Sequence, residues 1–251
     1  DFGRMGATPT HPELLDWLAA TFRDDMQGSL KSLHRLIVTS AAYRQRSDVG
    51  RDAPSAAASA AAESIDSANT LLWRANTRKL EAEAVRDAVL TTTGSLDLAM
   101  GGPGFHDFVI EQPEHSPHYR YDLADPNDGA TFRRSVYRFI VRSQMQPFMT
   151  TLDCADPSQR VDKRNQSVSP NQALAYLNNG FMLAQSQRFA ERVRRDAGES
   201  IDAQIIRAMR LALGRAPEPD EQARLVDFAG KHGLENACRV ILNLNEFSFI
   251  D

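Results

Sequence analysis

Residues 133–179, RRSVYRFIVRSQMQPFMTTLDCADPSQRVDKRNQSVSPNQALAYLNN, decide how this chain reads. The stretch opens on Ser135–Arg142, where Val136, Tyr137, Phe139, Ile140 and Val141 give the clearest strand-favouring run in the sequence. A polar loop follows. Ser169 and Pro170 then supply a cap and a first-turn proline for the longest helical pattern. Helical periodicity lies on both sides, so this stretch is expected to be the hinge of the architecture.

Upstream, Thr10 and Pro12 open a helix with Leu14, Leu15, Trp17, Leu18 and Phe22 at helical spacing, and Ser29 caps a second with Leu30, Leu33 and Ile37. A short connection predicts an antiparallel pair. Residues 48–68 are rich in Ala and Ser and read as a flexible surface insert, with a short exposed helix as the alternative. A helical reading returns from Asn69 to Leu98, with Leu80, Ala84, Val85, Ala88 and Val89 inward and Gly94 as its stop. Residues 99–131 are rich in Gly and Pro, and Phe105–Glu111 within them is the natural strand partner for Ser135–Arg142.

Downstream, one helix is expected over residues 170–198, with Ala173, Leu174, Leu177, Phe181, Ala184, Phe189 and Val193 apolar. A second runs from the Ser200 cap to Gly214, a third starts after Pro217-Glu218-Pro219, and a fourth covers Leu234 to Phe247. The predicted fold is mainly α: a multi-helix bundle with one small antiparallel β-hairpin or sheet and long loops, as a single domain over residues 1–251.

At 251 residues with 42% hydrophobic and 25% charged content, the chain is ordinary for a globular protein. A net charge of -4 argues against nucleic-acid binding, which needs a basic face. Lysine occurs only at 31, 79, 163 and 231, so the positive charge is almost all arginine. Cys154 and Cys238 form neither a metal-ligand spacing nor a disulfide framework, and no CxxCH haem attachment motif is present. No run approaches the roughly 20 apolar residues of a membrane span, and no signal peptide is visible. The chain opens on Asp1-Phe2-Gly3-Arg4 without a Met, which reads as a fragment of a longer chain.

The segments DFGRMGATPTHPELLDWLA, SLKSLHRLIVTSAAYRQ, LLWRANTRKLEAEAVRDAVL, RRSVYRFIVRS, RNQSVSPNQALAYLNN, RAMRLALGRAPEPDE and ILNLNEF, in this order and spacing, resemble DUF1553, the planctomycete PSD1 domain, over nearly the whole chain. The sequence departs from the family pattern at Leu152-Asp153-Cys154, where Phe-Asp-Ala is usual, and in its Ala/Ser insert. The resemblance implies a domain of a larger exported protein, placed periplasmically or otherwise outside the cytoplasm and often behind a c-type cytochrome domain. Its biochemical role in the family is undefined.

Three constellations are candidates for chemistry. Arg134, Arg138 and Arg142 share one face of the expected strand, and with Arg164, Asn165, Asn171, Gln172 and the helix start at Pro170 they read as an anion or substrate site. The competing use of the same residues is an internal network with Asp153, Asp156 and Asp162. Arg4, His11 and His34 are secondary candidates on the first two helices. His106, His115 and His118 lie in the Gly/Pro-rich loop as a candidate divalent-metal set, although a structural site needs a defined ligand geometry. No catalytic residue is assignable, and no cofactor is expected in this chain.

The expected function is a non-catalytic accessory or interaction domain of a larger exported, cytochrome-linked protein, whose partners are neighbouring domains such as a cytochrome c domain. The alternative is a hydrolase or redox enzyme acting on a polysaccharide, with the Arg/Asn loop binding an anionic, sulfated sugar.

Overall fold

Side-chain caps place three helix starts where the sequence puts them. Ser29 accepts from Ser32 N–H, Ser200 accepts from Ala203 N–H, and Glu218 with Glu221 forms a capping box. The expected caps Thr10 and Ser169 make no capping bond: His11 precedes the helix at Pro12, and the helix at Pro170 starts without a side-chain cap. The computed structural model describes residues 3–47, 53–112, 115–161 and 163–250, and the protein is mainly α. The chain divides into two units, residues 1–78 and residues 79–250.

The first unit holds α1 (Pro12–Asp24), α2 (Leu30–Thr39) and α3 (Ala53–Ile65). Neither α1 nor α2 buries a residue, and the two do not pack along one another as the expected antiparallel pair. Helix α3 occupies much of the Ala/Ser-rich insert; residues 48–52 lie outside the described residues. The helix expected from Asn69 does not begin there. Asp66 accepts from Thr70 and Leu71 N–H, and Asn69 and Leu72 adopt positive φ, so side-chain capping turns the chain instead of propagating a helix.

The second unit carries the core. Its helices are α4 (Ala82–Thr93), α5 (Pro147–Thr151), α6 (Pro170–Asn178), α7 (Gly180–Ala197), α8 (Ile201–Leu213), α9 (Pro219–His232), α10 (Leu234–Leu242) and α11 (Asn245–Ser248). Helix α10 is central, touching α6, α7, α8 and α9. Val85, Val89, Met149, Met182, Phe189, Ile205, Met209 and Ile241 are fully buried around it. Truncating Phe189 to Ala there would cost about 3–5 kcal/mol. Leu80 N–H donates to the Ser248 carbonyl (2.8 Å), which ties the end of the chain to the start of this unit.

Three expected elements are resolved differently. The helix over 170–198 is two helices, broken at Asn179, whose extended backbone ends α6 while its side chain accepts from Phe181 N–H to start α7. The break lets Tyr176 and Met182 both face the core and leaves Ala173 and Leu174 exposed. Leu234–Phe247 likewise splits into α10 and α11.

The third difference is the largest. Ser135–Arg142 is not a strand: Ser135–Tyr137 is a 3-10 turn followed by irregular chain. The small antiparallel hairpin is instead local, Val109–Glu111 against His118–Arg120. Side chains of α4 hold the backbone where the expected strand would start. Asp87 Oδ1 accepts from Ser135 N–H (2.8 Å) and Oγ (2.7 Å), and Arg86 donates to the carbonyls of Arg133 (3.0 Å) and Thr131. What remains of the expected pairing is a single parallel bridge, in which Phe105 donates to the Tyr137 carbonyl and accepts from Phe139 N–H (both 2.9 Å).

Candidate functional site

The loop between α5 and α6 is held by a buried knot. Asp153 sits at φ 65°, a left-handed conformation that Asp tolerates better than most residues. That turn aims its carboxylate at Lys79, which donates to Asp153 Oδ2 (2.8 Å), the Ser167 carbonyl (2.8 Å) and Gln172 Oε1 (2.9 Å). All three ammonium protons are thereby used. Ser167 donates to Asp153 from its N–H (2.8 Å) and from its Oγ (2.8 Å), and Gln172 Nε2 donates to Oδ2 (3.1 Å). Burial works to raise the Asp153 carboxyl, but the bonds from Lys79 and Ser167 outweigh it and hold it below the usual carboxylate range.

Arg164 anchors the same loop from its far side. It donates to Glu83 Oε2 (2.7 Å) and lies 3.4 Å from Glu81. Burial opposes ionisation of Glu83, yet the Arg164 bond leaves its carboxyl below the ordinary range. Cys154 donates weakly to Glu83 Oε1 (3.5 Å), and burial together with that carboxylate pushes its thiol to about 11. A thiol so placed is held in its protonated form at neutral pH.

A second set lies under residues 131–138. Arg86 is nearly fully buried, with its guanidinium 4.9 Å from the Phe105 ring centroid, and burial pushes its pKa down to about 10. Arg138 faces Asp107 across 3.7 Å. Burial raises the Asp107 carboxyl above its ordinary value in spite of Arg138 and Arg86.

Two cavities flank the Asp107–Arg138 pair. One of about 320 Å³ is lined by Arg86, Asp107, Asp122, Asp125, Asn179 and Phe181 among others; one of about 150 Å³ is lined by Arg138, Arg164, Glu83 and Cys154 with a mostly apolar remainder. Tyr121, Gln146 and Met149 line both.

Of the residues expected to form an anion site, the structure brings Arg138 and Arg164 to one cavity. Gln172 belongs to the Asp153 knot. Arg134 stacks near Tyr137 (5.6 Å), and Arg142, Asn165 and Asn171 are exposed and line neither cavity. Asp153, Arg164 and Gln172 are bonded internally, but not as the expected Arg–Asp network. Asp153 pairs with Lys79, Arg164 with Glu83 and Glu81, and Asp156 accepts from Ser158, while Asp162 lies outside the described residues. In the first unit, His11 precedes α1 with Thr10 Oγ1 at 2.9 Å from its Nδ1, while Arg4 and His34 are exposed. His106 stacks on Phe108 (5.0 Å), His118 pairs with Glu111 across the hairpin, and His115 is exposed. Among the described residues no three His, Cys, Asp or Glu side chains cluster as metal ligands.

Sequence reading missed Glu83, Arg86 and Asp87. They sit in EAEAVRDAV, where charges at helical spacing look like a solvated face. One signal was present: Arg86 lies beside Val85 and three residues before Val89, inside the apolar stripe.

Fold and site together define an α-helical domain whose central loop is tied down by ion pairs. Comparison with known families agrees: a model described as PSD1, a protein of unknown function (DUF1553), matches residues 1–229 of the 251. The chain belongs to the PSD1 (DUF1553) family. No curated protein and no solved structure matches it.

Proposed function

We propose that the domain is a non-catalytic accessory or interaction module of a larger extracytoplasmic, cytochrome-linked protein. The observation that carries this reading is the state of α1 and α2. Both are amphipathic, yet Trp17 is 51% exposed, Leu30 is 61% exposed, and neither helix has a buried residue. Apolar helix faces left in water are characteristic of docking surfaces. The closed, ion-paired loop at Asp153 and Arg164 supports the same view, because it is built to hold backbone in place. Export, the cytochrome link and neighbouring domains as partners are supported by the family resemblance. Among the described residues no helix is long and apolar enough to cross a membrane.

Hydrogen–deuterium exchange tests the reading, with the isolated domain compared against the whole protein that contains it. Residues 12–24 and 30–39 should gain protection in the whole protein. Equal exchange in both would sink the proposal.

A second reading, a hydrolase acting on an anionic polysaccharide, draws on the larger cavity. Asp107 is raised by burial and Asp122 is lowered by its bond to Arg120, and both line it. Two carboxyls pushed apart in this way are the pattern of an acid and a base. Turnover of a sulfated or uronate-containing polysaccharide that is lost in Asp107→Asn would carry this reading over the first.

A further inference from the structure

Arg138 is the least compensated charge in the second unit's interior. Its side chain is 4% exposed, and a buried guanidinium costs several kcal/mol unless it is paired and hydrogen-bonded. Its nearest carboxylate, Asp107, stands 3.7 Å from a terminal nitrogen, beyond hydrogen-bonding distance. Among the described residues neither Arg138 Nε nor Asp107 Oδ1 has a hydrogen-bond partner. The facing atoms, Arg138 Nη1 and Asp107 Oδ2, stay too far apart to bond, and a second atom of each side chain is left without a partner.

The smaller cavity, about 150 Å³, begins at this side chain. Arg164 lies on its wall with Glu83, whose carboxylate it already bonds. Tyr121, Gln146 and Cys154 are the other polar groups, and the rest of the lining, Ile140, Val141, Met145 and Met149 among it, is apolar. Its volume is below the roughly 300 Å³ at which drug-sized ligand sites begin, so an occupant has only a few heavy atoms. It needs an acceptor, preferably anionic, at one end and an apolar body behind it. Sulfate or phosphate meets the first requirement and fails the second, because oxygens turned toward Ile140 and Met149 would be desolvated without partners.

We propose that this cavity binds a small aliphatic monocarboxylate, with its carboxylate accepting from Arg138 beside Arg164 and its short tail against Val141, Met145 and Met149. The site does not depend on the accessory role of the domain. It gives the buried guanidinium the full counter-charge that Asp107, held at a distance, does not supply.

Calorimetric titration of the full chain with sodium propionate, against sodium sulfate at matched ionic strength, tests this. Propionate should bind saturably and sulfate should give no saturable signal. Arg138→Gln should weaken propionate binding at least about 10-fold, a margin equal to roughly 1.4 kcal/mol. Because Arg138→Gln disturbs a buried charge, Ala155→Leu serves as a second variant: it fills the cavity from its wall and leaves both guanidinium groups in place. It too should abolish binding. The proposal fails if propionate gives no saturable heat, if sulfate binds as tightly, or if Ala155→Leu binds like the parent chain.

Discussion

Asp153 and Lys79 are 74 residues apart in sequence and 2.8 Å apart in space, with side chains only 16% and 6% exposed. The pair joins the residue that leads into α4 to the turn that follows α5, and Ser167 and Gln172 complete its hydrogen bonds. Removing one partner leaves the other charge desolvated. Asp153→Ala should therefore cost about 3 kcal/mol in urea unfolding, the lower end for a broken buried pair. Lys79→Met should cost a similar amount, and the double variant clearly less than the sum. Additive losses would show that the two side chains do not act together.

Arg164→Ala should be milder. Arg164 and Glu83 are each about one-third exposed, which caps a single ion pair near 1 kcal/mol. For a protein of this size that corresponds to a fall of about 2–4 °C in melting temperature. A fall as large as that of Asp153→Ala would place Arg164 at the centre of the network.

Asp153 and Asp107 should respond to pH in opposite directions. Asp153 is held below the ordinary carboxylate value of about 4, so its stabilisation is present above that value and is lost as pH falls through its lowered pKa. Asp107 is raised by burial, so the native state binds its proton more readily than the unfolded state. Its contribution therefore declines as pH rises from about 4 toward its native pKa. Asp107→Asn should remove that decline and raise stability at neutral pH, as read from melting temperature against pH. A lower melting temperature at neutral pH would mean that ionised Asp107 is a net stabiliser of Arg138.

Gly104→Ala should destabilise through backbone contact. A Cβ there would stand 2.8 Å from the Tyr137 carbonyl oxygen, which accepts from Phe105 N–H in the single bridge of this region. Displacing that bridge should cost about 1–3 kcal/mol, the usual range for overpacking. Gly129→Ala, with nothing within 4 Å of its added Cβ, is the control and should be near neutral.

Both thiols should resist modification by a disulfide reagent at pH 8 until the chain unfolds. Cys154 and Cys238 are free, and burial pushes them to about 11 and about 12. Rapid labelling of Cys154 in the native state would show that its cavity wall opens.

The mainly helical character and several helix starts were legible in the sequence, because they follow from local chemistry. Ser29, Ser200 and Glu218 cap, and Gly94 and Gly214 stop helices in left-handed conformations. That Arg164 and Gln172 serve internal bonding was visible as one of two uses. The partners expected for them, the aspartates of the same stretch, are not the ones Arg164 takes: it pairs with Glu83 and Glu81 far upstream. The main cation of the loop was not visible: Lys79 lies far upstream, and nothing in its local context separates a knot from a solvated lysine. Glu83 and Arg86 were hidden for the same reason.

The stretch at 133–179 shows where the division falls. By itself the sequence determined that α6 begins at Pro170, that a polar loop precedes it and that helices flank both sides, because propensity and a first-turn proline act over a few residues. Only the tertiary structure decided that Ser135–Arg142 is not a strand. Asp87, 48 residues upstream, takes the Ser135 N–H, and Arg86 holds the carbonyls of Arg133 and Thr131 just before it. The entry to the stretch is thus fixed as a turn by hydrogen bonds to charged side chains, which outweigh β-propensities worth at most about 1 kcal/mol.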